Sequence, residues 1–557
     1  MNESPTSHAD ASTTPAFPAA PLPPGAPALR TTRRLLTHLA VGVLAAGSLV
    51  ACGSDRSSNA GTSDGTGGSA TAPAPTPAAS SPSAAPSSAP APAPAPASTP
   101  APAPSPAPTP APSPAASPAP TPLSGYFVAT GGSDTAAGTE SAPWATLAHA
   151  QAVVAAGDTV YVRGGTYAVT AATTACASQT DRVSGVVLSK SGSDGKLIQY
   201  LNYPGEKPVF DFSAMKDDCR IKGFNVTGSW IRIKGFEIRS VPQNNNLNHE
   251  SWGVWISGSH NIFEQLDLHH HMGPGLFIQN GGYNLVLNSD SHHNYDPLTS
   301  NGPGESADGF GVHVSANNPG NVLRGCRAWW NSDDGFDLIN AYTSVVIENS
   351  WAWRNGYLPD TTTASGNGNG FKAGGYGGGY DAAAVPHTVR FSVAFSNRAN
   401  GFYANHHPVA TSFVNNTAYG NKVQFNMLGV DVNGAAVGLG LLRNNVAFGA
   451  GTVSANMTGV DSTANSWDSP LSLSNADFQA VSTDGWDVAR QADGSLPVLT
   501  LLRPSAASVL IDRGINVGAP YKGTAPDLGA FEYGVDMTSI SSAANAANAA
   551  RAGTSYR

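Results

Sequence analysis

A short phrase recurs four times in the middle of this 557-residue chain. An Asp or Asn followed by Gly-Phe begins, at intervals of 26, 35 and 31 residues, at Asp308, Asp334, Asn369 and Asn400. A second phrase, Ala-x-x-Asn, interleaves with it and occupies Ala328 to Asn331, Ala352 to Asn355, Ala394 to Asn397 and Ala418 to Asn421. A unit of about 24 residues is typical of a parallel β-helix, whose coils stack at about 4.8 Å so that like residues form ladders. The sequence therefore predicts an all-β solenoid, rather than a sandwich in which a turn phrase recurs by chance.

The composition agrees with this prediction. Only 12% of the residues are charged, while Gly numbers 61 and Pro 43, which excludes a coiled coil or a charged helical bundle. One short helix is predicted over residues 148–155. The formal net charge of −9 offers no broad basic face, so we expect no nucleic-acid partner, and a polyanionic partner would have to be held by local cations or by a metal.

The first 52 residues have the pattern of a bacterial lipoprotein signal peptide. Arg30, Arg33 and Arg34 precede an apolar run that is too short for a membrane span of about 20 residues. The run ends in Leu49-Val50-Ala51-Cys52-Gly53, which resembles the lipoprotein box, and the resemblance implies lipidation of Cys52. Gly53 takes the place of the Asp that would favour inner-membrane retention. We therefore expect an exported protein, either an outer-membrane lipoprotein or extracellular, that contacts the membrane through its N-terminal lipid only.

Composition also divides the rest of the chain. Residues 53–123 are rich in Ser, Ala and Pro and are predicted to form a disordered linker, because they lack the apolar side chains needed for a core. Residues 124–534 form the predicted folded domain, and residues 535–557 a disordered tail. Cys176 and Cys219 could form a disulfide or remain free thiols, and the sequence leaves both possibilities open.

The Gly-Phe repeat also predicts which residues share a surface. If the four Phe side chains point inward, the residue after each points outward, because side chains alternate along a strand. These outward residues are Gly311, Asp337, Lys372 and Tyr403. Asp337 and Lys372 are therefore expected on one face, on neighbouring coils.

Acidic residues are dense beside this face. Asp333, Asp334 and Asp337 lie within five residues, and Asp308 occupies the position of Asp334 one coil earlier. Four carboxylates brought together raise one another's pKa unless a cation neutralises them, and Ca²⁺ is the ion that best accepts many oxygen ligands in irregular geometry. Two plainer interpretations are a solvated acidic loop and a corner ladder in which Asp308 and Asp334 bond to backbone amides.

These motifs resemble the core of polysaccharide lyase family 9, the right-handed β-helix pectate lyases. The similarity is carried by Ala307-Asp308-Gly309-Phe310, Asn331-Ser332-Asp333-Asp334-Gly335-Phe336-Asp337-Leu338 and Gly368-Asn369-Gly370-Phe371-Lys372-Ala373-Gly374-Gly375. The resemblance implies a Ca²⁺ ion held by Asp308, Asp333, Asp334 and Asp337, and Lys372 as the catalytic base. It implies calcium-dependent β-elimination on 4-linked galacturonan, an acidic plant polysaccharide. It assigns no substrate-binding residues, and we expect a monomer.

Three alternatives remain at this point. The chain could be a rhamnogalacturonan lyase or another uronate lyase of the same family. It could be a hydrolase on the same scaffold, which needs paired carboxylates and no metal. It could also be a non-catalytic surface adhesin whose calcium only stabilises the coils.

Histidines occur in runs at His269-His270-His271, His292-His293 and His406-His407. Such runs could bind a transition metal, but adjacent side chains on a strand point to opposite faces. The sequence therefore favours ordinary polar coil surfaces at these positions.

Overall fold

The computed structural model describes residues 123–170, 176, 181–215, 219–243, 249–300, 302–468 and 471–535. The predicted signal peptide with Cys52, the linker as far as residue 122 and the tail from residue 536 lie outside the described residues. In the described part of the chain, no helix has the length and apolar character that crossing a bilayer requires.

Three long parallel sheets make up the described fold. Sheet 1 comprises Tyr126–Val128, Thr159–Val162, Ile198–Asn202, Ile231–Lys234, Ile262–Glu264, Leu285–Leu287, Val322–Arg324, Val346–Glu348, Thr388–Arg390, Ser412–Val414, Leu441–Arg443 and Asp461–Thr463. Sheet 2 comprises Arg182–Leu188, Arg220–Val226, Trp252–Ile256, Leu276–Ile278, Phe310–Val312, Phe336–Asp337, Phe371–Lys372, Asn400–Tyr403, Val423–Asn426 and Thr452–Ala455. Sheet 3 comprises Gly165–Ala168, Pro208–Asp211, Glu237–Arg239, Asp267–His269, Asp290–His292, Arg327–Trp329, Trp351–Trp353, Val393–Phe395, Thr417–Tyr419 and Val446–Phe448.

The chain visits these sheets in a fixed order. From Arg220 onward each coil adds a strand to sheet 2, then to sheet 1 and then to sheet 3, and most strands pair in parallel with the equivalent strand of the next coil. The architecture is a right-handed parallel β-helix, which confirms the predicted fold class.

Several smaller elements lie outside the three long sheets. The α-helix Leu147–Val153 confirms the predicted short helix, and the Thr146 hydroxyl caps it by accepting a hydrogen bond from the His149 amide. A 3-10 helix spans Asn475–Asp477, and the strands Leu428–Val430 and Ala436–Gly438 form an antiparallel pair. Cys176 and Cys219 form a disulfide with a Cα–Cα distance of 5.1 Å, so the structure pairs the two cysteines whose state the sequence left open.

The repeated phenylalanines form a stack inside the solenoid, as the sequence predicted. Ring centroids lie 5.2 Å apart between Phe310 and Phe336, 4.7 Å between Phe336 and Phe371, and 5.0 Å between Phe371 and Phe402. All four side chains are fully buried. Because each ring covers the next, the ladder fixes the register of sheet 2 and removes apolar surface from water.

The Ala-x-x-Asn repeat forms a polar ladder at a corner between sheets 3 and 2. The side-chain amide of Asn331 donates to Asn355 Oδ1 at 3.0 Å, Asn355 donates to Asn397 at 2.9 Å, and Asn397 donates to Asn421 at 2.9 Å. Each Oδ1 also accepts a backbone N–H from the preceding coil, as in the 3.1 Å bond from Asn355 N to Asn397. These bonds satisfy buried backbone donors where the chain turns between sheets.

The C-terminal segment, residues 471–535, covers the apolar outer face of sheet 3. Trp486 is buried there, with its ring 4.2 Å from Phe395 and 4.6 Å from Trp351 between centroids. Arg490 reaches Asp290 at 2.6 Å, and Arg327 pairs with the same carboxylate. The covering segment lies on sheet 3, whereas an open cleft lies over sheet 2.

Candidate active site

The outward row of sheet 2 contains the predicted pair of charged residues. Parallel pairing sets Gly311 opposite Asp337, Asp337 opposite Lys372, and Lys372 opposite Tyr403 on successive coils. Asp337 and Lys372 therefore occupy the same position on neighbouring coils and the same face, which confirms the prediction drawn from side-chain alternation.

Lys372 is buried although it is charged, with 9% of its surface exposed. Its Nζ lies 3.2 Å from Asp337 Oδ2 and 3.2 Å from Asp334 Oδ2. Burial lowers the pKa of this amine, but the carboxylates of Asp337, Asp334, Asp333 and Asp308 outweigh burial and raise the pKa well above its ordinary value. Lys372 is consequently an ammonium paired with its acidic neighbours.

Three of the four predicted acidic ligands form one tight group. Asp308, Asp333 and Asp334 each present a carboxylate oxygen within 4.8 Å of the others, and all three side chains are buried. Asp337 adjoins this group through Lys372 and, as the strongest neighbouring charge, raises the pKa of Asp308. The structure thus brings all five predicted residues of the folded domain together, with Asp337 at the edge of the cluster.

The electrostatics of the cluster suit a bound cation. Burial first, and then repulsion from the neighbouring carboxylates, raises the pKa of Asp308 and of Asp333 well above the ordinary value. Asp334 Oδ2 is buried and accepts no hydrogen bond, although the Lys372 ammonium lies 3.2 Å away. The cluster offers only oxygen atoms as metal ligands, and one of them, Asp334 Oδ2, accepts no hydrogen bond. Such a site fits a hard ion such as Ca²⁺.

Backbone amides orient the three acids. The Asp334 amide donates to Asp308 Oδ1 at 3.2 Å, the Asn367 amide to Asp333 Oδ1 at 2.6 Å, and the Asn369 amide to Asp334 Oδ1 at 2.7 Å. The corner ladder considered from the sequence therefore exists. It engages one oxygen of each carboxylate, so the ladder and a cation site are compatible in the same residues.

A cleft of about 220 Å³ opens above this cluster. Asp308, Asp333, Asp337 and Lys372 line the cleft, whereas Asp334 lies fully buried beneath it. The remaining lining residues include the aromatic and polar side chains of Trp252, Phe277, His313, Tyr403, Asn405 and His406. The cleft thus combines charged groups with flat apolar surfaces.

Two aromatic residues on this face, Trp255 and Phe277, were missed in the sequence, and Phe277 lines the cleft. Trp255 pairs with Phe277, and Phe277 with Gly311, so both rings belong to the same outward row as Asp337 and Lys372. The available signal was side-chain alternation in Gly253-Val254-Trp255-Ile256: if Val254 and Ile256 point inward, Trp255 points outward.

Two further polar residues differ in their relation to the cleft. His313 is half-buried, and its buried Nε2 lies 3.9 Å from Asp337 Oδ2 without a hydrogen-bond partner. Arg390, in contrast, lies in sheet 1, where it pairs with Glu348 at 2.6 Å. His313 therefore belongs to the site and Arg390 does not.

Comparison with known proteins places this fold and cluster in a family. The sequence profile described as "Pel9A-like, right handed beta helix region" matches residues 126–445. Pectate lyase L of Dickeya dadantii is 38% identical over 414 residues, which cover 73% of this chain and 90% of the relative. Pectate lyase PEL9 of Emericella nidulans is 31% identical, with coverage of 68% and 92%.

Solved structures of lyases are also similar to this chain. A crystal structure of pectate lyase Pel9A is 36% identical with a TM-score of 0.62 and covers 74% of this chain and 97% of the relative. A rhamnogalacturonan lyase is 35% identical with a TM-score of 0.64, covering 68% and 96%. Membership of a lyase family disfavours both the hydrolase and the non-catalytic adhesin considered from the sequence. The chain belongs to the Pel9A-like right-handed β-helix family and is a pectate lyase-like polysaccharide lyase.

Proposed function

We propose that the protein cleaves 4-linked galacturonan, or pectate, by calcium-dependent β-elimination, with Lys372 as the base that takes the C5 proton. The observation that carries this proposal is the position of one buried amine, 3.2 Å from two carboxylates, in a cleft lined by acids and aromatic rings. The relatives named pectate lyase support the same substrate.

The elimination follows from the chemistry of a uronate. The C5 proton is acidic because it lies next to the carboxylate, and O4 is positioned as the leaving group. Neutral Lys372 accepts the C5 proton, the electron pair forms the C4–C5 double bond, and the C4–O4 bond breaks, after which O4 takes a proton from solvent. One product therefore ends in an unsaturated uronate.

Asp308, Asp333, Asp334 and Asp337 are the residues that would hold Ca²⁺. Their carboxylates supply only oxygen donors. Burial and mutual repulsion raise the pKa values of Asp308, Asp333 and Asp334, and a divalent ion would relieve the repulsion. The bound ion supplies electrostatic stabilisation for the negative charge that develops on the uronate carboxylate.

The protonation state of Lys372 sets the pH range of the reaction. A lysine with a pKa of about 10.4 is neutral in only about 1 molecule in 2,500 at pH 7, which costs about 4.6 kcal/mol. The acidic neighbours raise the pKa of Lys372 further, and a divalent cation beside it would lower that pKa. We therefore expect activity to rise toward alkaline pH.

Cations farther along the outer face of sheet 2 support an acidic polymer as substrate. Lys222 Nζ lies 4.2 Å from the Trp255 ring centroid, and the Arg220 guanidinium lies 4.2 Å from that of Trp252. Burial and the nearby arginines lower the pKa of Lys222 to about 8. An anionic sugar carboxylate here would favour the charged form of Lys222.

The decisive experiment replaces the base and leaves the cation site in place. Lys372→Ala should abolish the ultraviolet absorbance of the unsaturated product formed from polygalacturonate, while calcium still binds by calorimetry. Lys422→Ala, which alters an exposed lysine, is the matched control and should retain full activity. Product formation by Lys372→Ala at a rate close to that of the unchanged protein would contradict the assignment.

Rhamnogalacturonan is the second candidate substrate, because a solved rhamnogalacturonan lyase is as similar to this chain as Pel9A is. Both polymers contain 4-linked uronate, so the same base serves either. Parallel assays on polygalacturonate and rhamnogalacturonan distinguish them through the ratio of initial rates. A higher rate on rhamnogalacturonan would transfer the proposal to that polymer.

We further propose that the protein is an exported lipoprotein anchored through Cys52, with residues 53–123 as a spacer and residues 535–557 as a tail. The lipoprotein-box pattern and the Pro-rich composition support this. Mass spectrometry of the mature N-terminus should find a diacyl- or triacyl-modified Cys52. An unmodified N-terminus elsewhere would contradict the anchor.

A further inference from the structure

Four histidines converge on the corner that follows sheet 3. His292 Nδ1 lies 2.7 Å from His293 Nδ1, and one coil earlier His269 Nδ1 lies 2.7 Å from His270 Nδ1. The rings of His269 and His292 stack with centroids 5.0 Å apart, and His292 stacks on Trp329 at 4.2 Å. Because this corner borders sheet 3, it lies outside the residues that line the cleft of sheet 2.

The sequence favoured opposite directions for adjacent histidines, and the structure shows why that prediction is wrong here. The strands end at His269 and His292, and the following residues, His270 and His293, have φ of 56° and 55°. In this left-handed conformation the chain leaves the strand, so alternation ends and the two rings of each pair meet.

Carboxylates determine which nitrogen of each ring carries hydrogen. His292 Nε2 lies 3.1 Å from Asp267 Oδ1, and His293 Nε2 lies 3.1 Å from Asp360 Oδ1. An imidazole that donates through Nε2 leaves a lone pair on Nδ1 when the ring is neutral. Two Nδ1 lone pairs then face each other at 2.7 Å, and either a proton or a metal ion between them would relieve their repulsion.

We propose that His292 and His293 chelate a divalent transition-metal ion of the zinc, nickel and copper class through their Nδ1 atoms. Two nitrogens bound to one such ion at about 2.1 Å lie about 3.0 Å apart at a right angle and about 3.4 Å apart at a tetrahedral angle, so a small rotation of the two rings from the observed 2.7 Å admits the ion. Hydrogen bonds from the opposite ring nitrogens to Asp267 and Asp360 are the outer contacts that metal-bound histidines make in proteins. Imidazole selects these ions over Ca²⁺, which prefers oxygen.

The neighbouring groups agree with this assignment. Glu237, Asp267 and His269 also bring ligand atoms within 4.8 Å of one another, but Lys207 Nζ lies 2.7 Å from Glu237 and 2.9 Å from Asp267. The Lys207 ammonium and, at Glu237, the Arg239 guanidinium already pair with these carboxylates, so the carboxylates serve as outer partners of His269 and His292. The His269–His270 pair provides a second chelate one coil away.

The test uses the full chain without a histidine tag, in buffer at pH 7.5 with excess Ca²⁺ so that the acidic cluster is occupied. Isothermal titration with Zn²⁺ alone should detect binding in the micromolar range, and His292→Ala/His293→Ala should weaken it at least tenfold or remove one bound ion. His149→Ala, a half-buried histidine of the N-terminal helix, should leave the titration unchanged.

Two measurements keep the result interpretable. Circular dichroism and lyase activity of the double variant should match the unchanged protein, because the pair lies away from the cleft. In addition, Cu²⁺ bound to the unchanged protein should show nitrogen superhyperfine splitting by electron paramagnetic resonance, and the splitting should diminish in His292→Gln/His293→Gln. Two results would overturn the proposal. One is absence of Zn²⁺ binding, which would mean that only a proton is shared between the rings. The other is equal Zn²⁺ binding by the double variant and the unchanged protein.

Discussion

Asp337 and Lys372 occupy equivalent positions on successive coils, and their side chains meet at 3.2 Å. The pairing distance between strands in a parallel sheet is about 4.8 Å, so residues of opposite charge at one ladder position come within ion-pair range without any special loop. The position of the amine beside the acidic cluster is thus a consequence of coil stacking.

Asp337→Asn should move the rising limb of the pH–rate profile, on which Lys372 loses its proton, to lower pH. Among the neighbouring charges Asp337 contributes most to the raised pKa of Lys372, so its neutralisation makes proton loss from the amine easier. The measurement is kcat/KM against pH at saturating Ca²⁺. Glu305→Gln, at another cleft acid, should leave the midpoint in place, and an unmoved midpoint in Asp337→Asn would show that Lys372 does not set this limb.

Asp333→Asn should stabilise the calcium-free protein and weaken calcium binding. The substitution retains the oxygen that accepts the Asn367 amide and removes one of the repelling buried carboxylates. We expect the free energy of unfolding in chelator to rise by about 1–2 kcal/mol and calcium affinity to fall about tenfold or more. Urea unfolding in chelator and calcium titration check both effects, with the exposed Asp194→Asn as control. Lower stability in chelator would contradict the repulsion described for the cluster.

Asp296→Asn should remove a pH dependence of stability. Burial raises the pKa of Asp296 from 3.8 to about 7, and Thr299 donates to its carboxylate at 2.5 Å. A raised folded pKa means that the stability contributed is present below pH 3.8 and is lost as the pH rises through about 7. At pH 8 the variant should therefore be more stable than the unchanged protein by about 4 kcal/mol, and at pH 5 by about 2 kcal/mol.

Urea unfolding at the two pH values checks this expectation, and Asp484→Asn, at a highly exposed acid, serves as its control. An equal difference at pH 5 and pH 8 would mean that Asp296 is not the titrating group.

Asn355→Ala should lower the free energy of unfolding by about 2–3 kcal/mol. Asn355 Oδ1 accepts the backbone and side-chain amides of Asn331, and its own amide donates to Asn397, so truncation leaves buried donors and acceptors unpaired on both adjacent coils. Chemical denaturation measures the change. The exposed Asn433→Ala should alter stability by less than about 0.5 kcal/mol, and a similarly small effect at Asn355 would show that the ladder is not a source of stability.

The sequence by itself determined the solenoid, the inward phenylalanine ladder, the asparagine ladder and the shared face of Asp337 and Lys372. Each follows from a periodic pattern, because in a β-helix a repeat in sequence becomes a stack in space. Residues at equivalent repeat positions must therefore be neighbours, whatever lies in the loops between them.

Only the tertiary structure decided the contacts between residues that belong to no repeated sequence pattern. The C-terminal segment covers sheet 3 through Trp486, Cys176 pairs with Cys219, and His292 meets His293 where a positive φ ends the strand. These contacts depend on how the chain turns at a corner or returns over a distant surface. Side-chain alternation along a strand predicts neither the turn at a corner nor the return of the chain over a distant surface. These contacts are therefore visible only in the folded protein.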